Sequence, residues 1–140
     1  MRYYSNMSSA NIIATLAAKG LRQTKLRVLL LQALLNSAKP LSVKEILAIA
    51  AKNKIKANKT SVYRQLLTLK NERVVREVQL GENQKRYEIF PENHHHHIVC
   101  LDCGQIEDVE TEGDLTGLEK KIAREKRFEV QNHSLEFFGI

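Results

Sequence analysis

Ten consecutive residues, His94-His95-His96-His97-Ile98-Val99-Cys100-Leu101-Asp102-Cys103, carry four histidines and a Cys-x-x-Cys pair, and Gly104 then lets the chain turn. Imidazole and thiolate are the side chains that bind borderline-soft metals such as zinc, iron(II) and manganese(II). Extended backbone sends successive side chains to opposite faces. A strand here would therefore point His95 and His97 one way and His94 and His96 the other, enough for two separate metal sites. A merely solvated run or an expression tag fits poorly. The run is internal, only four long, and leads directly into an apolar segment ending in the cysteine pair.

Charge divides the chain in two. Residues 1–93 hold 17 Lys/Arg and 6 Asp/Glu, a balance of +11, whereas residues 94–140 hold 5 and 10, a balance of −5. A basic block of that size points to a polyanion, nucleic acid first, with a simply solvated surface as the plain alternative. Two cysteines three apart make no disulfide framework and suggest a metal or redox pair in a reducing compartment. No apolar run approaches the roughly 20 residues of a membrane span. The N-terminus lacks a signal-peptide core and cleavage site. A cytoplasmic protein with no membrane partner is expected, built as one medium domain or two small ones.

Along the basic block, Ser8-Ser9 can cap a short helix carrying Ile12, Ile13, Leu16 and Ala17, with Gly20 at its C′ position. Thr24 is an N-cap for a central helix, because apolar residues from Leu26 to Leu35 are too dense for a single stripe. Ala38-Lys39-Pro40 breaks that helix. Ser42-Val43-Lys44-Glu45 is a capping box opening a third helix with Ile46, Leu47, Ile49 and Ala50 on its core face. After the basic turn Lys52 to Lys56, Asn58-Lys59-Thr60 starts a fourth, with Val62, Leu66 and Leu69 at i, i+4 and i+7. Val74-Val75-x-x-Val78, a Gly81-Glu82-Asn83 turn and Arg86 to Ile89 read as a hairpin.

Three helices followed by a hairpin is the order of a winged helix-turn-helix, whose last helix enters the major groove with its N-terminal side chains at base edges. Those side chains are Lys59, Thr60, Ser61, Tyr63 and Arg64. Arg pairs with guanine in bidentate fashion, and Ser, Thr and Tyr reach phosphates or bases. Tyr63 alternatively reads as a partly buried core aromatic. Arg73, Arg76, Lys85 and Arg86 on the wing either meet phosphates or are simply solvated.

The acidic block continues with a strand over Gln105 to Val109, then a helix from Asp114 or Thr116 with Leu115, Leu118 and Ile122 on one side. Phe128 to Val130 suggests a further strand, and Leu135, Phe137 and Phe138 a last one. A β–α–β unit of this size buries too little to fold well alone and usually needs a metal or a partner subunit. A dimer is the simplest answer, since a two-fold protein on a palindromic site doubles its DNA contacts. The expected fold class is α+β, with a winged-helix DNA-binding domain over residues 1–91 and a small α/β dimerisation and metal-binding domain over 92–140.

Thr60-Ser61-Val62-Tyr63-Arg64-x-Leu66 followed by the histidines and Cys-x-x-Cys-Gly resembles the ferric uptake regulator family. Gly20-Leu21-Arg22-x-Thr24-x-x-Arg27, Tyr87-Glu88 and Asn132-His133-Ser134-Leu135 extend the resemblance from about residue 11 to 140. It implies a homodimeric, metal-dependent repressor that binds a palindromic AT-rich operator. It also implies a regulatory iron(II), manganese(II) or zinc site matching Glu88, His95, His97 and Asp108. A second site matches His94, His96 and His133. Cys100 and Cys103 match two of the four cysteines that hold the family's structural zinc. Tyr63, Arg64 and Arg22 match positions that contact DNA, Arg22 in the minor groove.

The sequence departs from the family in three places. The second cysteine pair expected after Phe138-Gly139 is absent from a sequence that stops at Ile140; either the chain is truncated or Cys100 and Cys103 bind zinc weakly or not at all. Pro40 stands where relatives carry a histidine that contributes a ligand from the DNA-binding half. The acidic ligand of the second site falls near Thr116, with Glu110, Glu112 or Asp114 as substitutes. Enzyme readings lack support: there is no His-Glu-x-x-His, Gly-x-Ser-x-Gly or P-loop, and Val99 sits where a zinc deaminase has proline. A peroxide sensor on the same scaffold and a metal-independent DNA-binding regulator with structural metal only both stay open.

Overall fold

The computed structural model describes residues 9–81, 83–90, 95–109, 115–131 and 133–140. The chain divides into two compact units, Met1–Glu92 and Asn93–Ile140. Among the described residues no helix is long and apolar enough to cross a membrane. Ser8, Glu82 of the hairpin turn, His94, Glu110, Glu112, Asp114 and Asn132 lie outside the described residues.

The first unit runs α1 (Ser9–Ala18), α2 (Lys25–Asn36), β1 (Leu41–Ser42), α3 (Val43–Lys52), α4 (Lys59–Asn71), β2 (Val75–Val78) and β3 (Arg86–Ile89). The expected glycine stop ends α1: Gly20 has φ +67, and the Leu21 and Gly20 amides donate to Leu16 and Ala17 carbonyls at 2.8 and 3.0 Å. Thr24 caps α2 through its hydroxyl, which accepts from the Arg27 amide at 3.1 Å. The Ser42/Glu45 capping box forms at the start of α3. A second box, Asn58 with Ser61, opens α4. Leu30 and Leu31 of α2, Ile46 of α3 and Val62, Leu66 and Leu69 of α4 are all essentially inaccessible, so the helices close on one apolar core.

The three strands form a sheet in the order β1-β3-β2, antiparallel throughout. The two-residue β1 has no sequence signal of its own. Leu41 and Ser42 pair with Tyr87 and Arg86 because α3 and β3 pack on the same core. Burial, with the charge of Glu77 and neighbouring Tyr63 adding to it, pushes the Tyr87 phenol up to about 12, so it stays neutral in the core.

The second unit contains β4 (His96–Cys100), β5 (Ile106–Val109), α5 (Thr116–Lys126) and β6 (Glu136–Gly139). Its sheet runs β5-β4-β6, with β5 antiparallel and β6 parallel to the central β4. Phe128 to Val130 is not a strand, contrary to the pattern of alternating residues. Arg127 ends α5 in a left-handed turn (φ 50), and β6 takes the place beside β4. None of the residues of α5 is buried, and Leu118 on its expected inner face is 52% exposed.

Candidate metal centre and nucleic-acid interface

Strand register builds the metal cluster. His97 lies directly opposite Asp108 across β4 and β5. Opposed residues share a face, and His95, two positions before His97, shares it too. The Nε2 atoms of His97 and His95 accordingly come within 3.5 and 3.9 Å of the Asp108 Oδ1. The two rings stand edge to face, with centroids 5.0 Å apart. Both histidines are about 1% exposed. Two ligands at about 2.0–2.2 Å from one tetrahedral ion lie roughly 3.3–3.6 Å apart; the His97–Asp108 separation falls in that range, and the His95–Asp108 separation is a few tenths of an ångström beyond it. The donor set, two imidazoles and a carboxylate, suits iron(II), manganese(II) and zinc alike. The residues present fit a divalent cation.

His96 points to the other face, as the alternation of a strand requires, and meets His133 with ring centroids 5.6 Å apart. Among the described residues, Glu119 brings a carboxylate to His133, contacting its Nδ1. The family resemblance places this acid near Thr116, with Glu110, Glu112 or Asp114 as substitutes, and those three lie outside the described residues. Glu119 is one helical turn beyond Thr116, and residues three apart share a helix face, so an acid displaced by one turn was a readable signal.

Cys100 ends β4 half-buried and Cys103 is exposed; neither is in a disulfide. The turn between them is closed by the Gly104 amide donating to the Cys100 carbonyl at 2.8 Å, with Gly104 at φ +73. Hydrogen bonds from the Cys103 backbone, the Cys103 side chain and the Asp102 backbone lower the Cys100 thiol below its ordinary range. A lowered thiol is closer to the thiolate that a metal binds.

In the first unit, Glu88 is 1% exposed, and Arg76, its directly opposed neighbour on β2, donates to its Oε1 through Nε at 3.1 Å and through a terminal nitrogen. Pro40 offers no metal donor; its carbonyl accepts from Arg86 at 3.0 Å. Arg86 also reaches Glu45 at 2.6 Å. Burial works against ionisation of Glu45, but hydrogen bonds from Ser42 and the charges of Arg86 and Lys39 outweigh it and hold the carboxyl below its ordinary value of 4.5.

These contacts revise the reading of the wing. Arg86 is buried, Arg76 is paired, Lys85 lies 3.4 Å from Glu77, and the Arg73 guanidinium covers the Phe90 ring at 5.1 Å. Each of the four cations therefore has a partner within the protein. On α4, by contrast, Lys59, Thr60 and Arg64 are exposed, and Tyr63 is 47% exposed and not a core aromatic. The Ser61 hydroxyl is engaged at the cap, accepting from the Asn58 amide and donating to its carbonyl, both at 2.9 Å. Arg22 is exposed as well. Sequence reasoning gave Arg27 no role beyond a motif match. It is buried, and it ties the Arg22 carbonyl (2.9 Å) to Gln65 on α4 (2.8 Å), linking two parts of the candidate DNA surface.

Comparison with known proteins agrees. Residues 18–138 match the profile of the ferric uptake regulator family. The ferric uptake regulation protein of Bacillus subtilis is 31% identical over 122 residues, 85% of this chain and 78% of that protein. The peroxide-responsive repressor PerR of Staphylococcus aureus is 27% identical over 128 residues, 91% of this chain and 85% of its own length. The ferric uptake regulator of Helicobacter pylori, whose structure reveals three functional metal-binding sites, is similar with a TM-score of 0.71 at 26% identity, covering 99% of this chain and 93% of that one.

Proposed function

The chain belongs to the ferric uptake regulator family, whose members are transcription regulators and not enzymes, and on that premise we propose that it is a cytoplasmic, homodimeric, metal-dependent repressor of metal-homeostasis genes. Residues 1–91 bind DNA and residues 92–140 dimerise and hold metal. The observation that carries this reading is the convergence of His97 and His95 on Asp108 at 3.5 and 3.9 Å. A divalent cation supplies there the positive charge that draws neutral imidazoles and a carboxylate together.

His95, His97 and Asp108 hold the cation from the second unit, and Glu88, assigned to the same cation by the family resemblance, answers from the hairpin of the first. By joining them the chain restricts the hinge after the wing and fixes two recognition helices at a spacing that fits half-sites about one DNA turn apart. The cation acts only as far as it favours that arrangement over others. With Pro40 in place of the family's histidine, Glu88 is the one ligand the DNA-binding half contributes. Arg64, Tyr63, Thr60 and Lys59 meet an AT-rich palindrome in the major groove, with Arg22 in the minor groove and Ser61 holding the helix start. His96, His133 and Glu119, with His94, form the second site, and Cys100 and Cys103 bind zinc. The exposed apolar sheet face around Ile98 and Phe137, partners across β4 and β6, seats a second copy of this chain.

The test is a titration of metal-stripped protein with zinc, manganese(II) and anaerobic iron(II), reading anisotropy of a labelled AT-rich palindrome at fixed salt. One metal should raise affinity tenfold or more; tight binding indifferent to every metal would sink the switch and leave the histidines structural. The likeness to a peroxide-responsive repressor supports a second reading, which oxygen addition to a histidine in the iron-loaded, peroxide-treated protein would reveal by mass.

A further inference from the structure

Glu88 raises a question that its role as a ligand does not answer. A carboxylate 1% exposed is costly without a compensating charge, and a divalent cation is not there in every state of a sensor. Arg76 supplies such a charge. The β2–β3 register puts the two residues opposite each other, and two guanidinium nitrogens converge on the same carboxylate oxygen. The neighbouring cations serve other groups. Lys70 and Lys85 hold Glu77, Arg86 holds Glu45, and Arg73 lies over Phe90.

We propose that Arg76 is the counter-charge with which a regulatory cation competes for Glu88, and that it thereby sets the metal concentration at which the protein responds. The inference rests on the reading in which Glu88 is a regulatory ligand. A metal ion reaching Glu88 either displaces the guanidinium or shares the carboxylate with it. Displacement forfeits two charge-assisted hydrogen bonds. Sharing places a guanidinium beside a divalent cation, and like charges at such distances repel strongly where water is excluded. Both routes weaken metal binding below what the same ligands would give without Arg76. Arg76 is thus a positioning residue: it holds Glu88 oriented in the metal-free protein and raises the threshold for loading.

The test measures manganese(II) affinity of the full, metal-stripped chain by calorimetry for wild type, R76Q, R76K, E88Q and the R76Q/E88Q double variant. Glutamine keeps a donor for the carboxylate while removing the charge. R76Q should bind manganese roughly tenfold tighter, a coupling ordinary for contacting groups. R76K should stay near wild type, and R76Q should have no further effect once E88Q is present. A merely structural Arg76 would leave affinity unchanged or lower it, and either result overturns the proposal. H97A is the control for the site. If H97A abolishes binding and R76Q does not tighten it, the Arg76 inference alone fails; if H97A and E88Q both leave binding intact, the regulatory site and the inference fall together. A measurement on wild type covers an R76Q that does not fold. The Arg76 Nε–H resonance, assigned by its loss in R76K, should shift and exchange faster with water when zinc is added, and a resonance that does not respond would refute the competition.

Discussion

The two units solve the problem of a small core in opposite ways. The first closes its core within one chain: α2, α3, α4 and the hairpin contribute Leu30, Ile46, Leu66 and Ile89, all essentially inaccessible to water. The second leaves its helix α5 without a buried residue and its sheet with Phe137 and Phe138 half exposed. Among its described residues, what it buries instead is polar, His95, His96 and His97. A unit with an apolar core can be stable whatever its ligand state, whereas one that buries imidazoles and exposes phenylalanines stands to gain from a metal and from association. Under the proposed function, the first unit would read DNA and the second would sense metal.

The largest break in that contrast should come from Ile46→Ala, which empties part of the closed core. It should cost about 2–5 kcal/mol in denaturant unfolding, with or without metal. His97→Ala should leave the metal-free protein nearly unchanged and abolish the stabilisation that metal gives, about 2.7 kcal/mol at a hundred times its Kd. A metal-induced rise in melting temperature that survives His97→Ala would show the second unit to be less conditional than described. Phe137→Asp should weaken self-association by about 2 kcal/mol, the scale of an interface hot spot. Sedimentation at micromolar concentration would show monomer, and an unchanged dimer would place the interface elsewhere.

The smallest effect sharpens the description of the first unit. Glu45 has a lowered carboxyl pKa in the fold, so its ionic contacts contribute stability above its ordinary value of 4.5 and lose it as pH falls through the lowered value. Glu45→Gln keeps a capping side chain but removes the charge facing Arg86. The stability difference between wild type and Glu45→Gln should be largest at neutral pH, below about 1 kcal/mol for so exposed a carboxylate, and should shrink as pH falls below 4.5. A difference independent of pH would mean that the hydrogen bonds alone matter.

The helices were legible because their signals are local. Ser42 and Glu45, Thr24, Gly20 and the Val62/Leu66/Leu69 spacing each lie within a turn or two of the structure they specify. The division of the histidines between faces was legible for the same reason, since alternation is a property of any strand. Tertiary packing decided the rest. Asp108 meets His97 through a register between strands, and Glu119 reaches His133 from a helix fourteen residues away. Arg27 bridges to a glutamine thirty-eight residues on. The wing arginines look alike as a run of positive charge, yet Arg76, Arg86 and Arg73 end on a buried carboxylate, a capping glutamate and an aromatic ring. A side chain's period along the backbone is set by covalent geometry and can be read from sequence, whereas the partner of a charge depends on which distant groups the fold brings within a few ångströms, and only packing determines that.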